Sequence, residues 1–115
     1  MKLYLAGPMR GYPKFNFPAF FAAAKKLRKE GHTVFCPAEK DIKDYGSLKR
    51  VTLEYQKDPQ KVMRSVIRKD LNWIIDKAEG IVFLPGWKKS KGAKAEKALA
   101  EFLGLKVRFL NKDYI

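Results

Sequence analysis

One cysteine and one histidine are all that the chain has of the two residue types that build most disulfide frameworks and zinc sites. Cys36 has no partner for an internal disulfide, and with His32 alone beside it there is no cluster at metal-ligand spacing. The expectation is no metal and no cofactor. Long apolar runs are missing too. Nothing approaches the ~20 residues of a membrane span, and the short segment after Lys2 breaks at Gly7-Pro8, unlike a signal peptide. We expect a cytoplasmic protein. Acidic residues are scarce, 12 against 25 Lys and Arg, which leaves a formal net charge of +13. That balance asks for an anionic partner, a phosphorylated metabolite or nucleic acid. Zinc-finger spacing and RRM-type aromatic signatures are lacking, so nucleic acid ranks second.

What is present suits one globular domain: 115 residues, 46% hydrophobic and 32% charged. Leu3-Tyr4-Leu5-Ala6 reads as a strand. Asn16-Phe17-Pro18 offers a cap and an early-turn proline to a helix whose face is Phe17, Phe20, Phe21, Ala24 and Leu27, and Gly31 ends it. Thr33 to Cys36 forms a second strand closed by Pro37. From Pro37 to Pro59 the chain is polar and poorly periodic, far longer than the usual ~4–6-residue connection, and reads as a loop or lid. A helix from about Gln60 to Lys77 follows, then a strand at Ile81 to Leu84, a helix carrying Glu96 and a last strand at Val107 to Leu110. Strands alternating with helices predict an α/β fold, a parallel sheet covered on both faces, with its site beyond the carboxyl ends of the strands. The loops Gly7 to Asn16 and Pro85 to Gly92 should meet there.

Among the few acids, Asp70 and Glu96 occupy the least expected places. Asp70 falls within the stripe Val66, Ile67, Leu71, Ile74 and Ile75. An acid on a core-facing stripe is costly unless bonded to backbone N–H groups or an Arg, or used in chemistry. Glu96 has Leu99 and Leu103 on its side of the next helix, about one turn from its start, where a helix dipole also favours an acid. Two acids flanking one strand suit glycosidic chemistry, in which one attacks or stabilises the anomeric carbon and the other handles the leaving group's proton. Ser90, Gly92 and Arg10 would form an anion pocket at the helix N-terminus. Taken singly, Ser90 is equally a helix cap and Arg10 a surface ion-pair residue.

Tyr4-Leu5-Ala6-Gly7-Pro8-Met9-Arg10-Gly11, Asp70-Leu71-Asn72-Trp73-Ile74 and Ser90-Lys91-Gly92-Ala93 followed by Glu96 together resemble the nucleoside 2-deoxyribosyltransferase superfamily. The chain is most similar to its small phage and bacterial branch, related to nucleoside 5′-monophosphate N-glycosidases. Phe17-Pro18-Ala19-Phe20 and Leu84-Pro85-Gly86-Trp87 also fit. The resemblance implies a flavodoxin-like (Rossmann-like) three-layer sandwich with a four- to five-stranded parallel sheet. It makes Glu96 the nucleophile and Asp70 the aspartate that contacts the base or assists its departure. Tyr4, Gly7, Met9, Arg10, Ser90 and Gly92 would bind substrate. It further implies a homodimer or larger homo-oligomer in which Asn111 or Tyr114 reaches a neighbouring subunit's site.

In relatives acting on free nucleosides an acid stands six residues before the nucleophile, whereas those hydrolysing monophosphates carry a serine there. This chain has Ser90. The implied activity is cleavage of the N-glycosidic bond of a (deoxy)nucleoside 5′-monophosphate. The alternatives are 2-deoxyribosyl transfer between bases of free nucleosides, and a non-catalytic nucleotide-binding or basic nucleic-acid-binding protein. Lys91, Lys94 and Lys97 flank Glu96 beyond the pattern of those relatives, and Lys97 replaces the glycine that often follows the nucleophile. Such a cationic field is expected to keep Glu96 ionised.

Overall fold

Successive side chains of a strand face opposite sides of its sheet, and in Leu3-Tyr4-Leu5-Ala6 both sides are buried. The computed structural model describes residues 1–114. Leu3 and Leu5 enter one core with Phe17, Phe20, Ala23, Ala24 and Leu27, while Tyr4 and Ala6 enter another with Ile74, Ile81, Phe83, Ala93 and Ala100. A strand buried on both faces belongs at the centre of a covered parallel sheet. β1 (Lys2–Ala6) indeed lies between β2 (Thr33–Phe35) and β3 (Gly80–Phe83), and β4 (Lys106–Phe109) forms the far edge, giving the order β2-β1-β3-β4 with every pairing parallel. With α1 (Phe17–Lys29) on one face and the helices that bear Asp70 and Glu96 on the other, the molecule is a three-layer, flavodoxin-like sandwich of four strands. The chain leaves β1 and β3 toward opposite edges, so the crevice between their carboxyl ends is the topological switch point.

The segment expected to be a loop is two helices. α2 (Pro37–Tyr45) starts on Pro37 and stops at Gly46, whose φ is 97°. α3 (Leu48–Lys57) is capped by Ser47, whose Oγ accepts from the Arg50 N–H at 3.1 Å. Pro at the first helical position, Gly past the end and Ser before the next start are ordinary helix punctuation. What hid these helices is their scarcity of apolar anchors: in α3 Val51 alone is fully buried. Asp58 then caps α4 (Pro59–Lys77), its Oδ1 accepting from the Lys61 N–H at 3.1 Å.

Two expected helix faces are narrower than their sequence suggests. In α4 the inward line is Val62, Asp70 and Ile74, whereas Ile67 and Ile75 are exposed. In α5 (Lys91–Leu103) the helix lies against the sheet through Ala93 and Ala100, small residues that permit close approach. Phe102 is 87% exposed and Leu103 also faces outward. Phe21 of α1 likewise lies at the surface, against Phe17.

The loop after β1 has an unusual backbone. Lys14, Phe15 and Asn16 take φ of 53°, 52° and 60° in succession, a left-handed stretch with no glycine. Each such residue costs on the order of 1 kcal/mol. Asn16 does not cap α1 with its side chain as expected. Its Nδ2 instead donates to the Pro8 carbonyl at 2.9 Å, tying the loop across itself. Gly7 is required for another reason: a Cβ there would lie 2.8 Å from Leu84 Cβ, inside the contact that joins the ends of β1 and β3. Gly7→Ala should therefore lower the free energy of urea unfolding by about 1–3 kcal/mol, the usual cost of overpacking. Unchanged stability would show that the two strand ends can separate freely.

Candidate functional site

Tyr4, held by the second core and stacked on Phe35 at 5.5 Å between ring centroids, projects its hydroxyl from the middle of the sheet. That hydroxyl donates to Glu96 Oε2. Asp70, on the inward line of α4 and 7% exposed, lies close enough to the same phenol for the hydroxyl to favour its charged form. One phenolic proton cannot serve two carboxylates, and Asp70 Oδ1 is buried without a hydrogen-bond partner among the described residues. Among the described residues, the expected structural partners of Asp70, backbone N–H groups or an Arg, are not supplied.

These three side chains line a cavity of about 690 Å³ at the switch point, within the ~300–1,000 Å³ typical of small-molecule sites. Gly7, Met9, Arg10, Ser90 and Gly92 line it as well, so the cavity gathers the eight residues expected from both loops and both helices. Asn111 and Tyr114 lie outside it. Asn111 Oδ1 accepts from the Asp113 N–H at 3.0 Å, and Tyr114 donates its hydroxyl to Glu30 at 2.6 Å while its ring packs under Arg108 and Lys26.

At the other wall Ser90 is the N-cap of α5, with Oγ accepting from the Ala93 N–H at 3.1 Å. The cap reading therefore holds, and Ser90 also lines the cavity. Gly92 is not forced by packing: its nearest obstacle to a Cβ is Ser90 Oγ at 3.8 Å, an ordinary contact, and its φ is not positive. The first turn of α5 thus turns unobstructed backbone N–H groups and the positive end of its dipole toward the cavity, with Lys89 and Lys91 beside it. Arg10 makes no ion pair among the described residues. Its guanidinium lies 5.3 Å from the centroid of the Tyr55 ring on α3, which also lines the cavity.

The electrostatics reverse one expectation. Burial pushes Glu96 up to about 8, the Tyr4 hydrogen bond pulling it down and Asp70 adding to the rise. No lysine figures among these influences. Lys97 Nζ pairs with Glu101 at 2.8 Å and sits over the Trp87 ring, on the side of α5 turned from the acid. Burial likewise raises Asp70 to about 7, against the pull of Tyr4 and Lys69. Tyr4, enclosed with both acids, is pushed well above the ordinary phenol value, chiefly by burial. The dominant effect is exclusion of water, which disfavours charge.

Sequence reasoning missed a third acid. Asp41 of α2 is 6% exposed, lines the same cavity, and is raised to about 7 by burial first and then by Asp70 and Asp44. Pro37 and Ala38, buried one turn earlier in α2, share its inward side. Cys36 is buried before α2, and burial pushes its thiol up to about 11. Among the described residues no three His, Cys, Asp or Glu side chains gather as a metal site, and no helix is long and apolar enough to cross a membrane.

The chain is thus an α/β protein with an acid-lined cavity at the switch point of its parallel sheet. A profile described as Domain of unknown function (DUF4406) matches residues 1–109, and the chain belongs to that family. No curated protein and no solved structure shows significant similarity to it.

The three raised acids fix the sign of a pH effect. Asp41 and Asp70 rise from 3.8 to about 7 and Glu96 from 4.5 to about 8, so the native state holds their protons more tightly than the unfolded chain. Their stabilisation is complete below the unfolded values and is lost as pH rises through the folded ones. The ligand-free protein should melt at least about 5 °C lower near pH 8 than near pH 5, given ~4–8 °C per kcal/mol for a domain near this size. Asp70→Asn should flatten that slope. A wild-type melting temperature independent of pH across this window would show that the cavity acids are not proton-bound.

Proposed function

We propose that the protein cleaves the N-glycosidic bond of a (deoxy)nucleoside 5′-monophosphate, with Glu96 as nucleophile and Asp70 as proton donor. The observation that carries this reading is the Tyr4 hydroxyl hydrogen-bonded to Glu96 beside Asp70, inside a cavity whose opposite wall is a helix N-terminus. The resemblance to the nucleoside 2-deoxyribosyltransferase superfamily assigns the same roles to the same residues.

Two neighbouring acids in a dry cavity hold a proton between them rather than ionise together. Before substrate binds, burial holds protons on both acids, on Glu96 more tightly than on Asp70, so the reaction uses the form in which Glu96, receiving the phenol's hydrogen bond, has given up its proton and Asp70, whose Oδ1 has no donor, keeps its own. A carboxylate oxygen of Glu96 forms a bond to C1′ as the C1′–N bond breaks. The bond's electron pair passes to the base nitrogen, and Asp70 delivers a proton to the departing base. Water then attacks C1′, its proton returns to Asp70, and Glu96 is released with the sugar 5-phosphate. Burial, which raises both acids, also strengthens the attraction between ionised Glu96 and the positive charge that develops on the sugar.

For the 5′-phosphate, the reading relies on the Ser90 hydroxyl, the α5 N–H groups around Gly92, and the cations Lys89, Lys91 and Arg10. An acid at position 90 would repel that group. Ser90 favours monophosphates over free nucleosides, and the net charge of +13 agrees.

Incubation with a panel of ribo- and deoxyribonucleoside monophosphates should release free base, detected chromatographically. Glu96→Ala should reduce the rate at least about 10³-fold, as expected for loss of a covalent nucleophile. Wild type that binds nucleotides and turns none over would make this a binding module. Gly92→Ala offers a separate test. Its methyl group makes no contact tighter than 3.8 Å, to Ser90 Oγ, so stability should hold or rise by up to about 1 kcal/mol. The KM for monophosphates should nevertheless rise several-fold while free nucleosides are unaffected. An unaltered KM would remove the α5 N-terminus from the phosphate site.

A further inference from the structure

Asp41 is the buried acid of the cavity for which the proposed reaction has no use. It follows β2, on the edge of the sheet away from the α5 N-terminus, while Ser90 and Gly92 follow β3. The cavity therefore has a cationic, N–H-rich wall on the β3 side and an acidic wall on the β2 side. Asp41 is nine-tenths buried, its carboxyl group makes no side-chain hydrogen bond among the described residues, and the exposure it keeps is at the cavity it lines. The nearby lysines are committed elsewhere: Lys69 Nζ lies 2.7 Å from Asp44 Oδ2 and Lys40 Nζ 3.1 Å from Asp44 Oδ1. Asp70 Oδ1, to which Asp41 is electrostatically coupled, is unpartnered as well. Burying acceptors without donors is costly unless something else supplies the donors.

A monophosphate set with its phosphate at the α5 N-terminus and C1′ near Glu96 carries its base toward this acidic wall. We propose that Asp41, together with Asp70, reads the edge of the base and selects nucleobases bearing an exocyclic amino group, as in cytosine, adenine and guanine, over those with carbonyl oxygens alone. The inference rests on the monophosphate reading above and names its substrate class. The chemistry is a matter of counting. The two carboxyl groups present four oxygens and hold at most two protons, so acceptors outnumber donors in every protonation state. In cytosine and adenine the amino group brings two donors to that wall, whereas in uracil and hypoxanthine a carbonyl acceptor stands in its place and the edge keeps a single ring N–H. Sites built to pair with a donor reject analogues that lack it far more strongly than apolar pockets distinguish shape.

The test compares cytidine and adenosine monophosphates with uridine and inosine monophosphates, in ribo and deoxy forms, on wild type, Asp41→Ala and Asp41→Asn. Base release and calorimetric binding are both measured. Wild type should favour the amino-bearing members at least about ten-fold in kcat/KM or affinity. Asp41→Ala should bring the preference below about three-fold, and Asp41→Asn, whose amide adds donors, should shift it toward the carbonyl-bearing bases. Both variants should melt no lower than wild type, because they remove a buried acid that has no partner. Equal use of all bases by wild type, or a uniform loss across bases in the variants, overturns the inference and leaves the monophosphate reading standing. A lower melting temperature with the preference intact makes Asp41 structural and also overturns it. Amino-selective binding without base release, lost in Asp41→Ala, supports the inference while removing the catalytic reading. Absence of both binding and release removes both.

Discussion

Tyr4 sets the terms on which the rest of the molecule is built. Its ring belongs to the core between the sheet and α4 and α5, in contact with Phe35 and Trp73, while its hydroxyl reaches the cavity at the switch point. A buried phenol needs a hydrogen-bond acceptor, and Glu96 of α5 provides it. The apolar part of the residue thus fixes where the two helices lie, and the polar tip fixes which of their side chains face inward. A phenylalanine at this position would fill the same space and leave Glu96 without its hydrogen-bond donor.

The cavity shows how a small protein can hold charge-bearing groups away from water. Asp41, Asp70 and Glu96 come from three helices, and none forms an ion pair among the described residues. Their cost is met as proton uptake rather than as salt bridges. The many lysines and arginines stay outside, in surface pairs such as Arg28 with Glu39 and Arg108 with Glu30. A strongly basic chain therefore surrounds an acidic interior, and the two charge populations meet where Lys89 and Lys91 border the α5 N-terminus.

The sequence made the strands, the switch point and the convergence of Tyr4, Asp70, Ser90 and Glu96 legible, because each depends on strong local patterns. β-branched and aromatic runs stop at Gly-Pro or Pro-Gly, and Asp70 interrupts an otherwise apolar line. α2 and α3 were not legible as helices, since Val51 and the buried residues of α2 are too few to produce a helical period. Asp41 was hidden with them. The exposed Leu103, Ile67 and Ile75 misled in the other direction, because periodicity reports which residues share a face and not whether anything covers it. The charge of Glu96 was misjudged because adjacency in sequence puts three lysines near it, whereas the turn of the helix carries Lys97 to Glu101 and Trp87.

The left-handed run at Lys14, Phe15 and Asn16 bears on how this protein can change. Tyr12 and Phe15 border the cavity on either side of Lys14, so substitutions here would be an easy way to reshape the mouth. Handedness restricts that route. Branching at Cβ is poorly compatible with positive φ, whereas asparagine, aspartate and glycine tolerate it. Drift at the rim is thus filtered by backbone chirality more than by burial, and new specificities are more accessible through α2 and α3, whose backbone accepts nearly any side chain.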